Sequence, residues 1–91
     1  MDLTDQQIRR EDLRAAVLNA LYARRKGAHR LDTIHTLFLR DSDASRDEVE
    51  TTLADLERMH FVQSAFEHDR SSIKVWQITG EGMTFKERGF K

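Results

Sequence analysis

The stretch SRDEVETTLADLERMHFV, residues 45–62, decides how this chain folds. It opens on a helix start. Ser45 stands three residues before Glu48, so its hydroxyl can accept from the Glu48 backbone N–H while the Glu48 carboxylate accepts from the Ser45 N–H. Behind this capping box Val49, Leu53 and Leu56, joined by Thr52 and Met59, form the apolar stripe of a helix expected to end near Met59 or His60. With the stripe inward, the outward arc holds Asp47, Glu50, Thr51, Ala54, Asp55 and Arg58, with Arg46 at its edge. The period then changes, and residues 61–66 read as a strand.

Toward the C-terminus, residues 73–79 (IKVWQIT) are rich in β-branched and aromatic side chains and read as a second strand. The polar stretch 67–72 between the two strands predicts the tip of an antiparallel hairpin. Thr79 is placed to cap a short last helix running to about Arg88, with Gly89 ending it.

Toward the N-terminus, Asp41-Ser42-Asp43 is a turn that closes a helix over about 31–39, whose apolar positions are Leu31, Ile34, Leu37 and Phe38. A further helix is expected from about Arg10 to Arg25. Leu13, Ala16, Val17, Ala20 and Leu21 make its stripe, and Leu18 and Tyr22 widen it. Arg24, Arg25 and Lys26 complement the dipole of its last turn, and Gly27 stops it. Residues 1–7 are polar and expected to fray.

Composition narrows the function. Ninety-one residues with no proline, repeat or low-complexity tract read as a single domain, 1–91. No cysteine is present, so neither disulfides nor a thiolate zinc site can staple the core. No apolar run approaches the roughly 20 residues of a membrane span, and the acidic start Met1-Asp2-Leu3-Thr4-Asp5 does not resemble a secretory signal. The expected location is the cytoplasm, away from membranes. The net charge is −1, but it is unevenly spread. Residues 1–40 carry eight basic against five acidic side chains, whereas residues 41–60 carry seven acidic against two basic.

The order helix, helix, turn, capped helix, hairpin resembles the winged helix-turn-helix domain of the MarR-, PadR- and ArsR-like regulators. The positions Ser45, Val49, Leu53, Leu56 and Phe61-Val62 match the third helix and first wing strand of those families. Ile78-Thr79-Gly80-Glu81-Gly82 matches the apolar–Thr–x–x–Gly with which their second wing strand ends. The resemblance covers about residues 10–85. It implies an α+β, mainly α fold: a three-helix core, a two-stranded antiparallel wing and a short C-terminal helix. It also implies double-stranded DNA as partner, with the third helix in the major groove and the wing beside the backbone, in a transcription regulator that pairs as a homodimer.

On that footing the residues expected to meet DNA are Arg24, Arg25, Lys26, Arg30, Arg46, Thr51, Arg58, Arg70 and Lys74, with His29 and His68 nearby. Arg46 can bond guanine, Thr51 a base or a thymine methyl, and the remaining cations can hold phosphates. Asp47 and Glu50 run against this reading, because each brings a carboxylate toward a polyanion. They support an alternative, a winged helix adaptor that docks a basic protein on Asp47, Glu50, Ala54 and Asp55. Leu18 and Tyr22 are the candidate dimer contact, unless they bury against the C-terminal helix. Trp76 and the phenylalanines at 61, 66 and 85 are candidates for the core. His29, His35, His60 and His68 are not spaced as a ligand pair on one helix face, so no metal or other cofactor is expected. No nucleophile–base set or phosphate-cradling glycine loop is present, so the chain is not expected to be an enzyme.

Overall fold

The computed structural model describes residues 5–67 and 70–89, and the side chains of all of these except Arg70 and Ser71. The third helix forms as its sequence dictates. Helix α3 spans Arg46–Arg58, and Ser45 caps it reciprocally: Glu48 N–H to Ser45 Oγ at 3.1 Å, Ser45 N–H to Glu48 Oε1 at 3.0 Å. Val49, Leu53 and Leu56 are fully buried, and so is Thr52, whose hydroxyl donates to the Glu48 carbonyl at 2.7 Å. Met59 does not extend the stripe. It is the C-cap, 39% exposed, because His60 follows it with φ +67 and turns the chain out of the helix.

Helix α1 spans Asp5–Ala23, so it starts earlier than its apolar stripe and ends before the Arg24–Lys26 run. The added turns are exposed on all sides, and their anchor is ionic. Arg9 reaches Glu48 and Asp43 beside the start of α3. Leu13, Val17, Ala20 and Leu21 bury as expected, and Leu18 buries with them.

The second helix departs from the expected register. Helix α2, Leu31–Thr33, widens at once into a π-helical turn, Ile34–Phe38, in which the Leu39 N–H bonds the Ile34 carbonyl five residues back, at 3.0 Å. One extra residue in the turn rotates everything after it. Leu37, expected inward, is 61% exposed, and Leu39 takes its place in the core.

Strands β2, Val62–Glu67, and β3, Arg70–Ile78, form the expected antiparallel hairpin, with Val62 opposite Ile78 and Ser64 opposite Trp76, but they run on through most of the stretch 67–72 expected as its tip, Glu67 pairing with Arg70. A third strand, β1 at His29–Arg30, adds to the other edge of β3, giving the order β1-β3-β2. Val62, Trp76 and Ile78 close the core under α1 and α3. Helix α4, Gly80–Glu87, is capped by Thr79, whose side chain accepts from Gly82 N–H at 3.0 Å. Phe61 and Phe85 stack at 4.5 Å against this core, while Phe66, expected in it, is 58% exposed.

Candidate nucleic-acid interface

The outward arc of α3 is the candidate contact surface: its first turns are capped by Ser45 and its opposite side is buried in the core. Asp47, Glu50, Thr51 and Ala54 are exposed on it. Asp55 is not. It is 8% exposed and turned toward α1, with Arg58 bonded to one carboxylate oxygen and Arg14 at 3.6 Å from the other. The acidic docking face envisaged for a basic protein therefore loses Asp55. Burial of that carboxylate is tolerable only because two guanidinium groups meet it.

The arginines of this region are already engaged. Arg46 Nε lies 2.8 Å from Asp32 Oδ1, a pair with both side chains largely in water. Arg58 holds Asp55. Arg30, expected to be open to phosphates, instead grips Glu67 bidentately, Nε–Oε1 at 2.5 Å and Nη2–Oε2 at 2.8 Å. That grip holds the Arg30 guanidinium above its ordinary pKa, mainly through the hydrogen bond to Glu67. It also fastens β1 to the far end of β2 across the sheet.

Arg24, Arg25 and Lys26 are exposed where α1 gives way to β1. The Arg24 guanidinium stands 4.0 Å over the Phe38 ring, and His29 meets the same ring edge-on at 4.8 Å while its Nε2 donates to the Arg24 carbonyl at 3.0 Å. Arg25 Nη1 donates to the Tyr22 carbonyl at 3.1 Å, with its guanidinium over the Tyr22 ring. These contacts use ring faces and carbonyls, and among the described residues no carboxylate pairs with either guanidinium. Lys74 likewise lies 4.9 Å over Trp76. His68 lies outside the described residues, and of Arg70 only the backbone, in β3 opposite Glu67, is described.

The expected dimer contact is internal. Leu18 has no exposed surface, so it offers nothing to a second copy. The Tyr22 hydroxyl donates to Glu87 Oε2 at 2.8 Å and ties α1 to α4, which raises the Tyr22 pKa mainly through that bond. Among the described residues no group of three or more His, Asp or Glu side chains could hold a metal ion, and no helix is long and apolar enough to cross a membrane.

Neither a family model nor a curated protein matches the sequence. Solved structures match the shape. MepR of S. aureus in complex with DNA superposes with TM-score 0.71 at 20% identity, over 92% of this chain and 67% of that one. The PcaV transcriptional regulator from Streptomyces coelicolor, with its natural ligand, gives 0.68 at 20% identity, over 82% and 49%. A probable transcriptional regulator from Pseudomonas aeruginosa gives 0.66 at 14% identity, over 81% and 52%. The fold is a winged helix. The chain spans about half to two thirds of the length of these proteins. In it α2 and α3 are the helix-turn-helix pair and β2–β3 is the wing, with β1 the short strand that the fold pairs against it.

Sequence patterning finds α3 and misses three features of the site. A two-residue strand has no period to detect. The π turn leaves only the mismatch between Leu37 and Leu39 as its trace. Phe66 reads as core because it follows Val62 and Ser64 in alternation, and only the length of the hairpin beyond the helices puts it in water.

Proposed function

We propose that this chain is a single winged helix domain that binds duplex DNA and serves as a transcription regulator in the cytoplasm, without enzymatic chemistry of its own. One observation carries the reading. The chain, with the capped, solvent-facing first turns of α3 beside a two-stranded wing, shares over 92% of its length the fold of MepR as solved in complex with DNA. Helix α3 lies in the major groove, Thr51 at its base-facing arc, and the wing runs along the adjoining backbone.

Affinity comes from the cations with no carboxylate partner among the described residues, Arg24, Arg25, Lys26 and Lys74, joined by Arg70 as a further basic residue of the wing sequence. Arg46 joins by exchanging partners, while Arg58 stays on the buried Asp55 and Arg30 on Glu67. The Arg46–Asp32 pair is exposed, and such pairs hold by only about 0–1 kcal/mol, so a phosphate can displace the carboxylate.

Fluorescence anisotropy with labelled duplexes, titrated over salt, tests this. Four phosphate contacts weaken binding by about a hundredfold as salt rises fourfold. No binding to genomic or random duplexes at low salt would end the proposal.

A further inference from the structure

The wing carries a large apolar side chain that the core does not take. Phe66 is 58% exposed near the end of β2. The register fixes its side of the sheet. Val62 pairs with Ile78, Ser64 with Trp76 and Phe66 with Lys74, and side chains alternate faces along a strand. Phe66 and Lys74 therefore lie on the face that buries Val62, Trp76 and Ile78, continued outward past the last core layer. Ser64, on the same face, is bonded through its N–H and hydroxyl to Glu57 of α3, at 3.2 and 2.6 Å. The ring thus stands on the side of the wing that looks toward α3.

Its surroundings are selective. Lys74, directly across, packs its ammonium over Trp76 and has no carboxylate partner among the described residues. Glu67, the next residue on the strand, faces the other way and is gripped by Arg30. The register shifts between Phe66 and Glu67, and a bulge of this kind re-aims the side chains on either side of it. An aromatic ring beside an ammonium, with the adjacent acid turned to the opposite face and neutralised, suits a polyanion with apolar steps inside it. It suits a protein partner less. A stable protein interface takes about 800 Å² from each side and disfavours lysine near its centre, and one ring does not supply that area.

We propose that Phe66 is a wedge: it enters the minor groove beside the α3 contact, unstacks one base step and bends the duplex, while Lys74 holds the adjoining phosphate. This rests on the DNA-binding reading above. Proteins that insert apolar side chains into the minor groove kink DNA by about 20–90°, and pyrimidine–purine steps yield most readily.

The test uses duplexes that the whole wild-type chain enriches from a random pool, labelled at both ends for energy transfer, with 2-aminopurine placed at TA and CA/TG steps. Binding is read by anisotropy, bending by end-to-end transfer and unstacking by 2-aminopurine brightening. The wild-type chain should bend and brighten the duplex. Phe66→Ala, at an exposed position, should melt like wild type and bind within about tenfold, yet leave the duplex straight and dim. Phe66→Leu, still an apolar wedge, should keep part of the bend. If Phe66→Ala bends the duplex as the wild type does, or the wild type binds without bending it, the wedge is overturned and DNA binding stands. If the wild type binds no duplex, both fall together.

Discussion

Arg9 clasps Glu48 across the contact between α1 and α3, Nε to Oε2 at 2.9 Å and Nη2 to Oε1 at 3.1 Å, while its Nη1 reaches Asp43. Glu48 is also the residue that closes the Ser45 capping box, so one carboxylate both starts α3 and anchors the outermost turns of α1. The Arg9 hydrogen bond, with the Ser45 N–H next, pulls the Glu48 pKa from its usual 4.5 down to about 2.

A stability profile against pH should expose this clasp. A carboxyl whose folded pKa is depressed contributes stability that is present above its unfolded value and lost as pH falls through the folded one. The window here is between 4.5 and about 2. Wild-type melting temperature should drop across it more steeply than that of Glu48→Gln, and added salt should narrow the difference because the pair is solvated. Parallel profiles for the two proteins would mean that the clasp contributes nothing.

Gly82 is required by contact rather than by dihedral angle. A Cβ there would lie 2.1 Å from the Phe61 carbonyl oxygen and 2.8 Å from Ile78 Cγ1. The same junction is stitched by Thr79, which donates from its N–H to the Phe61 carbonyl at 3.0 Å and from its hydroxyl to the His60 carbonyl at 2.6 Å. This gives the Thr–x–x–Gly ending of the wing a physical meaning: the threonine caps α4 and the glycine lets α4 close on the end of α3. Gly82→Ala should cost about 3 kcal/mol in chemical denaturation, since backbone cannot step aside as a flexible side chain does. A cost below about 1 kcal/mol would show that α4 shifts freely.

His60 stores strain that glycine would release. Its φ of +67 ends α3, with the His60 N–H bonded to the Glu57 carbonyl and the Phe61 N–H to that of Leu56, both at 2.9 Å. This is the Schellman closure, in which glycine is the usual occupant. A side chain in the left-handed region costs roughly 1–2 kcal/mol, partly offset in the variant by the greater freedom of unfolded glycine. His60→Gly should therefore raise stability by about 0.5–1 kcal/mol, read as a shift in denaturation midpoint at unchanged slope. A lower midpoint would contradict the strain.

What the sequence disclosed and withheld follows from the range of the forces involved. Helix α3 was legible because a cap at Ser45 and a stripe through Val49, Leu53 and Leu56 are local, and its residues need no distant partner to declare themselves. The hairpin was legible for the same reason. The extra turns of α1 depend on Arg9 finding Glu48 thirty-nine positions away, and no periodicity announces that. Asp55 looks solvent-facing on a helical wheel, yet Arg14 of α1 makes a buried position tolerable for it. Leu18 and Tyr22 were recognisable as apolar surplus on α1, but whether α4 or a second copy covers them is a tertiary fact. The candidate DNA contacts suffer most, since Arg30 and Arg46 spend their charge on Glu67 and Asp32, pairings that composition cannot reveal.

The acidic arc of α3 gives the sharpest test of which surface meets DNA. Asp47 and Glu50 are exposed on the first turns of a helix whose two arginines are each held by a carboxylate, so this surface carries unbalanced negative charge. In a major groove those two side chains face phosphates on both sides, and they repel them unless a cytosine amino group is there to be accepted. Asp47→Lys with Glu50→Lys removes two repulsions and adds two attractions. Non-specific duplex affinity should rise on the order of ten- to a hundredfold at low salt, and the salt dependence should steepen by about two contacts. Discrimination among duplexes should fall at the same time, because the gain is to the backbone and not to any base. The substitutions sit on the solvent side of α3, so melting should change little. An anisotropy series in which the double variant binds no more tightly than wild type would remove α3 from the interface, and with it the placement of this helix in the groove.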